Sequence, residues 1–171
     1  MPGVKTNKNI KNTCMAKKFD CKSAIILGMH DAIVSLIGLI VGLYFTFTDP
    51  NIIIISCIIA SISAALSMAA ANYLAVKSTN TDIATISGLC TGGAYLATCC
   101  LLVLPFLVFR HNFIALVSVF VIATLIIFLF NAVFYREKRF WRRFIEMLVT
   151  CATVTIAAFF IAKFANKWFG I

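Results

Sequence analysis

Asp31 stands well inside an apolar run that opens near Ala24. A carboxylate at that depth in a lipid-embedded helix costs about 2.5–3.5 kcal/mol on insertion scales. Such an acid faces a bundle interior or a cavity, and it marks an ion or proton pathway. The plainer reading is a protonated acid that only ties helices together. Met68 lies in a second apolar run. A thioether by itself is packing material, yet beside a carboxylate it completes a donor pair suited to a divalent transition metal. His30 adjoins Asp31 in sequence but points about 100° away from it on a helix, so it reads first as a packed or interfacial histidine and only second as a ligand. Asn131 reads as interhelical glue. Glu146 opens the last apolar run, where an acid complements the helix dipole and could also draw cations to a path entrance.

Other chemistries find no support. Ser-His-Asp, Cys-His and HExxH arrangements are missing, as is a glycine-rich phosphate loop. The sequence therefore predicts neither an enzyme nor a bound cofactor. Cys14, Cys21, Cys57, Cys90, Cys99, Cys100 and Cys151 form no CxxC and no zinc spacing. They read as small apolar packing residues, with no disulfide framework.

The elements that must position Asp31 and Met68 are membrane helices. The chain has 171 residues, 62% hydrophobic and 12% charged, with mean hydropathy +1.01. A soluble domain carries about twice that share of charge. The expected fold is all-α, a polytopic bundle of five transmembrane helices over about 24–47, 51–76, 84–109, 112–135 and 145–169, each near the ~20 residues a crossing requires. Together they make one membrane domain over 24–171, preceded by a basic, disordered cytosolic tail over 1–23. Asp49-Pro50-Asn51 is a turn that starts the second helix. Lys77 to Asp82 is a short polar loop, Arg110-His111-Asn112 a tight hairpin, and Arg136 to Arg143 a basic connector with interfacial Phe140 and Trp141.

Charge placement predicts the topology. Lys5, Lys8, Lys11, Lys17, Lys18, Lys22, Lys77, Arg136, Lys138, Arg139, Arg142 and Arg143 would share one side, and only Arg110, Lys163 and Lys167 the other. That places the N-terminus in the cytosol and the C-terminus outside or in a lumen. The net charge of +9 serves this orientation, and no nucleic-acid partner is expected. The expected location is a multi-pass protein of the inner membrane in a bacterium, or of a vacuolar or other internal membrane in a eukaryote.

On the first helix, Gly28, Asp31, Ser35, Gly38 and Gly42 fall within about 80° of one another. They make a strip of small and polar groups in which Gly38 and Gly42 form GxxxG, a motif for close backbone approach. On the second helix, Ser61, Ala64, Ala65, Met68 and Asn72 fall within about 100°. Thr91-Gly92-Gly93 in the third helix reads as another close-packing site.

At these helices the sequence resembles the vacuolar iron transporter family. Residues 24–35, AIILGMHDAIVS, are similar to the family's AxxLGxxDGLVS. Residues 65–74, ALSMAAANYL, are similar to its ALSMAAGEYxS. The third helix, with Gly92-Gly93 and Leu104-Pro105, resembles its GxxxP helix more loosely. The resemblance implies a homodimer of five-helix subunits that carries Fe²⁺ or Mn²⁺ out of the cytosol in exchange for protons, along a path at the dimer interface. Asp31 and Met68 would line that path, Asn72 could offer a carbonyl oxygen, and Glu146 could gather cations at the cytosolic mouth. The partners implied are the lipid bilayer, a divalent metal ion, protons and a second copy of the chain. The sequence departs from the family in four places. Ala32 and Ala71 replace motif glycines, Asn72 replaces the motif glutamate, and the link between helices two and three is too short for the acidic cytosolic metal-binding segment of the plant and fungal members. The chain thus looks like a short form. Loss of the glutamate leaves a second expectation open, a non-transporting membrane interaction protein built on the same scaffold.

Overall fold

The computed structural model describes residues 3–47, 49–79, 81–109, 112–134 and 140–169. Arg110, His111, Arg136, Lys138 and Arg139 lie outside the described residues, as do the side chains of Lys5, Lys8, Lys11, Cys14, Lys17, Lys18 and Phe140. The elements are α1 (Gly3–Thr46), α2 (Pro50–Lys77), α3 (Thr81–Val108), α4 (Asn112–Phe134) and α5 (Phe140–Phe169). All five are long and apolar enough to cross a membrane, and the described residues contain no strand. The fold is an all-α membrane bundle.

Local chemistry explains the breaks. Asp49 caps α2, its carboxylate accepting from the Asn51 amide at 2.9 Å. Pro50 occupies the first turn, where its missing N–H costs nothing. Ser78 ends the same helix, its amide donating to the Leu74 carbonyl at 3.2 Å. Two starts differ from the sequence reading. Residues 3–20 continue α1 as helical backbone where composition pointed to a disordered tail; neither Gly nor Pro interrupts the chain between Gly3 and Gly28, so a turn nucleated in the apolar span can propagate backward. α5 opens at Phe140 instead of near 145, and its first turn is braced by Arg142 and Arg143 on Glu146 at helical spacing.

α1 and α3 form the centre. Half of the most apolar stretch of each is buried, against 22% for α2, 28% for α4 and 6% for α5. α2 and α1 pack on α3, and α5 leans on α1 from the other side. Outward faces carry Ile55, Ile59, Leu66, Leu89, Phe160 and Trp168, an arrangement that only a lipid solvent tolerates.

Small residues set the central contacts. Gly28 of α1 lies so near the Thr91 carbonyl of α3 that a Cβ there would collide with it. Gly92 of α3 rests on α2, where an added Cβ would come within 2.8 Å of the Ala69 Cβ. The expected GxxxG contact is different: a Cβ added at Gly38 would meet only the Val154 side chain of α5, and one at Gly42 would meet no neighbouring element within 4 Å. Of the Thr91-Gly92-Gly93 run, Gly93 likewise has open space where a Cβ would stand. The close backbone approach therefore sits lower on the strip, at Gly28. The cysteines also depart from the reading above. Cys21 and Cys90 are joined by a disulfide, with Cα atoms 6.0 Å apart. Their separation by 69 positions gave no sequence signal, because only the crossing of α1 over α3 brings them together.

Candidate functional site

α3 is the platform on which the candidate residues of α1 and α2 are held. One turn beyond Asp31 along α1, the Ser35 hydroxyl donates to the Asp31 carbonyl at 2.6 Å and shares a 2.7 Å hydrogen bond with the Tyr95 hydroxyl of α3. Asp31 itself is half-buried. Its carboxylate lies within electrostatic reach of Tyr95 and of Cys99 one turn further along α3. Ser35 and Tyr95 thus place a hydroxyl pair between α1 and α3 one turn from Asp31, with Ser61 of α2 beside Cys99. Burial in an apolar span raises the electrostatic weight of every one of these groups.

The α2 strip faces inward as its periodicity required. Ser61 and Ala65 are buried, and Ala64, Met68 and Asn72 half-buried. Met68 packs against the buried core, to which all five helices contribute. Asn72 is committed elsewhere. Its Nδ2 donates to the Ser87 carbonyl at 3.1 Å, the Ser87 hydroxyl at 2.9 Å and the Thr91 hydroxyl at 2.6 Å. Those bonds tie α2 to α3. The carbonyl oxygen takes no part in them.

Thr91 is the pivot, since it touches both neighbours. Its carbonyl abuts Gly28, one turn before Asp31, and its hydroxyl holds Asn72, one turn after Met68. Asp31 and Met68 are therefore brought to α3 at a similar depth. Glu146 is not part of this group. It is exposed, at the start of α5, and pairs with Arg142 at 3.1 Å and Arg143 at 3.9 Å. It lines a cavity of about 350 Å³ together with His30, Asn131, Arg143, Met147 and Thr150, and Asp31, Met68 and Asn72 are not in that lining. Among the described residues, no three His, Cys, Asp or Glu side chains gather into a metal-binding group.

Sequence reasoning passed over Tyr95 and Ser87, and read Cys99 only as a packing residue. A signal existed: Ser87, Thr91, Tyr95 and Thr98 recur at helical spacing along one face of α3. Their partners on α1 and α2, however, become visible only once the helices are packed.

Residues 22–85, which span the membrane part of α1, all of α2 and the start of α3, match the VIT family model. The match supports a VIT-family protein. That is a family of membrane metal-ion transporters and not of enzymes. No curated protein matches the chain.

Proposed function

With a VIT-family α1 and α2 as the premise, we propose that this chain is a transporter that moves a divalent transition-metal cation, Fe²⁺ or Mn²⁺, out of the cytosol in exchange for protons. The reading has the N-terminus in the cytosol, on the charge distribution, and a path between two copies of the chain. The observation that carries it is the half-buried Asp31 within a membrane span, one turn before the Ser35–Tyr95 hydrogen bond that joins α1 to α3.

The chemistry follows from the charge. An uncompensated carboxylate in hydrocarbon is costly, so Asp31 is stable only with a cation or a proton on it. When the metal leaves, a proton takes its place, and the acid returns neutral. Exchange is then enforced by electrostatics. A two-fold axis would present each donor twice, and two Asp31 carboxylates match the charge of one divalent ion. Met68 adds sulfur from each copy, which favours a transition metal over Mg²⁺ or Ca²⁺. Glu146, with its exchangeable arginine partners, would gather cations on the cytosolic side.

Uptake of Fe²⁺ and Mn²⁺ into proteoliposomes, with and without a pH gradient, tests the reading. Uptake should follow the gradient in the unaltered protein and vanish in Asp31→Ala, while membrane insertion stays intact. Transport that persists in that variant would remove Asp31 from the mechanism.

One observation favours a second reading. Asn72, where the family motif has glutamate, is bonded to Ser87 and Thr91, a packing role that suits a non-transporting membrane interaction protein. Purified protein that binds neither metal, with no effect of Asp31 or Met68 substitution, would favour that alternative.

A further inference from the structure

The Cys21–Cys90 bond holds a stretch of α1 that packing holds only weakly. Cys21 and Gly28 lie two turns apart on one face of α1. Cys90 directly precedes Thr91, whose carbonyl abuts Gly28. Between Cys21 and Gly28, Ala24 is the only buried residue. Beyond Gly28 the same helix buries Met29, Ile33, Leu36 and Ile37. Few buried apolar contacts mean low local stability, so the bond is the firmest restraint on this end of α1. Both cysteines are half-buried and not sealed from a small reagent. The lysines from Lys5 to Lys22 mark the same end as cytosolic. Cytosolic thiols keep most disulfides open, and those that do form there usually serve redox sensing or catalysis.

We propose that Cys21–Cys90 is a redox-controlled tie, closed under oxidation and opened by a cytosolic thiol of the glutathione class, which decides whether the cytosolic end of α1 stays on α3. A donor thiolate attacks one sulfur of the pair, so the S–S bond breaks and a mixed disulfide forms. A second donor thiolate attacks the first donor's sulfur, and the two leave as the donor disulfide. Two electrons pass from the donor thiols to the pair, and two protons end on Cys21 and Cys90. With the tie open, α1 can swing about Gly28, where its dense packing begins. The Ser35–Tyr95 hydrogen bond further along keeps the rest of the helix on α3. The closed tie holds the cytosolic approach to Asp31 shut. That last consequence rests on the transport reading; the tie itself does not.

The full-length chain in lipid nanodiscs, equilibrated with mixtures of reduced and oxidised glutathione and then thiol-labelled in denaturant, tests the tie. Intact mass should show two further labels per chain as reduced glutathione comes to dominate, and their loss as the oxidised form does. Amide hydrogen exchange over residues 21–28 should rise about tenfold on opening, with exchange over 32–41 unchanged. Cys21→Ser and Cys90→Ser should each match the reduced protein in every mixture. A pair that keeps one state across all mixtures overturns the proposal. So does exchange over 21–28 that ignores the state of the pair. Mn²⁺ uptake into proteoliposomes should be severalfold faster with the tie open, and equal uptake in both states overturns the gate. No uptake in either state, with exchange still under thiol control, supports the tie and sinks the transport reading instead.

Discussion

Asp31 and Asn72 occupy neighbouring helices yet have different physical situations. Among the described residues, Asp31 makes no side-chain hydrogen bond to α2 or α3, and Ser35 and Tyr95 supply polar groups one turn away. Asn72 spends its amide hydrogens on α3. Substitution should separate them. Asp31→Asn removes the exchangeable charge while nearly preserving volume, so stability should hold and proton-coupled uptake should fall to background. Asn72→Leu should lower the unfolding free energy by about 1 kcal/mol, read as a melting shift in detergent, and leave metal affinity unchanged. A fall in affinity with the melting point intact would make the amide oxygen of Asn72 a ligand.

At the scale of elements, close approach of α1, α2 and α3 is what brings the site to one depth. The contact between Gly28 and the Thr91 carbonyl has no room for a methyl group. Gly28→Ala should therefore push α1 from α3 and destabilise the protein by about 1–3 kcal/mol. Gly42→Ala, on the same strip, meets open space and should be close to neutral. Equal melting shifts for the two would contradict the packing of α1 on α3. The Cys21–Cys90 bond pins α1 to α3 beside that contact. Thiol labelling of denatured protein should trap both cysteines only after reduction, and labelling without reductant would show the pair open.

For the whole molecule, the apolar faces of α2, α4 and α5 are exposed, as a lipid solvent allows. A path that uses Asp31 and Met68 twice requires the second copy. Native mass spectrometry from lipid nanodiscs should then find two chains, and active single chains would exclude a shared path.

The sequence by itself determined the solvent and the count of helices, because hydropathy and span length are properties of the chain alone. It also placed Asp31 on a small-residue strip and Met68 on an inward face, since helical periodicity maps spacing directly onto a face. Only the tertiary structure decided what meets those faces. Gly28 and not the Gly38–Gly42 pair carries the backbone contact, Asn72 turns to Ser87 and Thr91, Cys21 finds Cys90, and Glu146 joins His30 and Asn131 instead of Asp31. The reason is physical: in lipid every helix surface is apolar enough to be a plausible partner, so helix pairing is chosen by small-residue shape and by a few hydrogen bonds between segments distant in sequence.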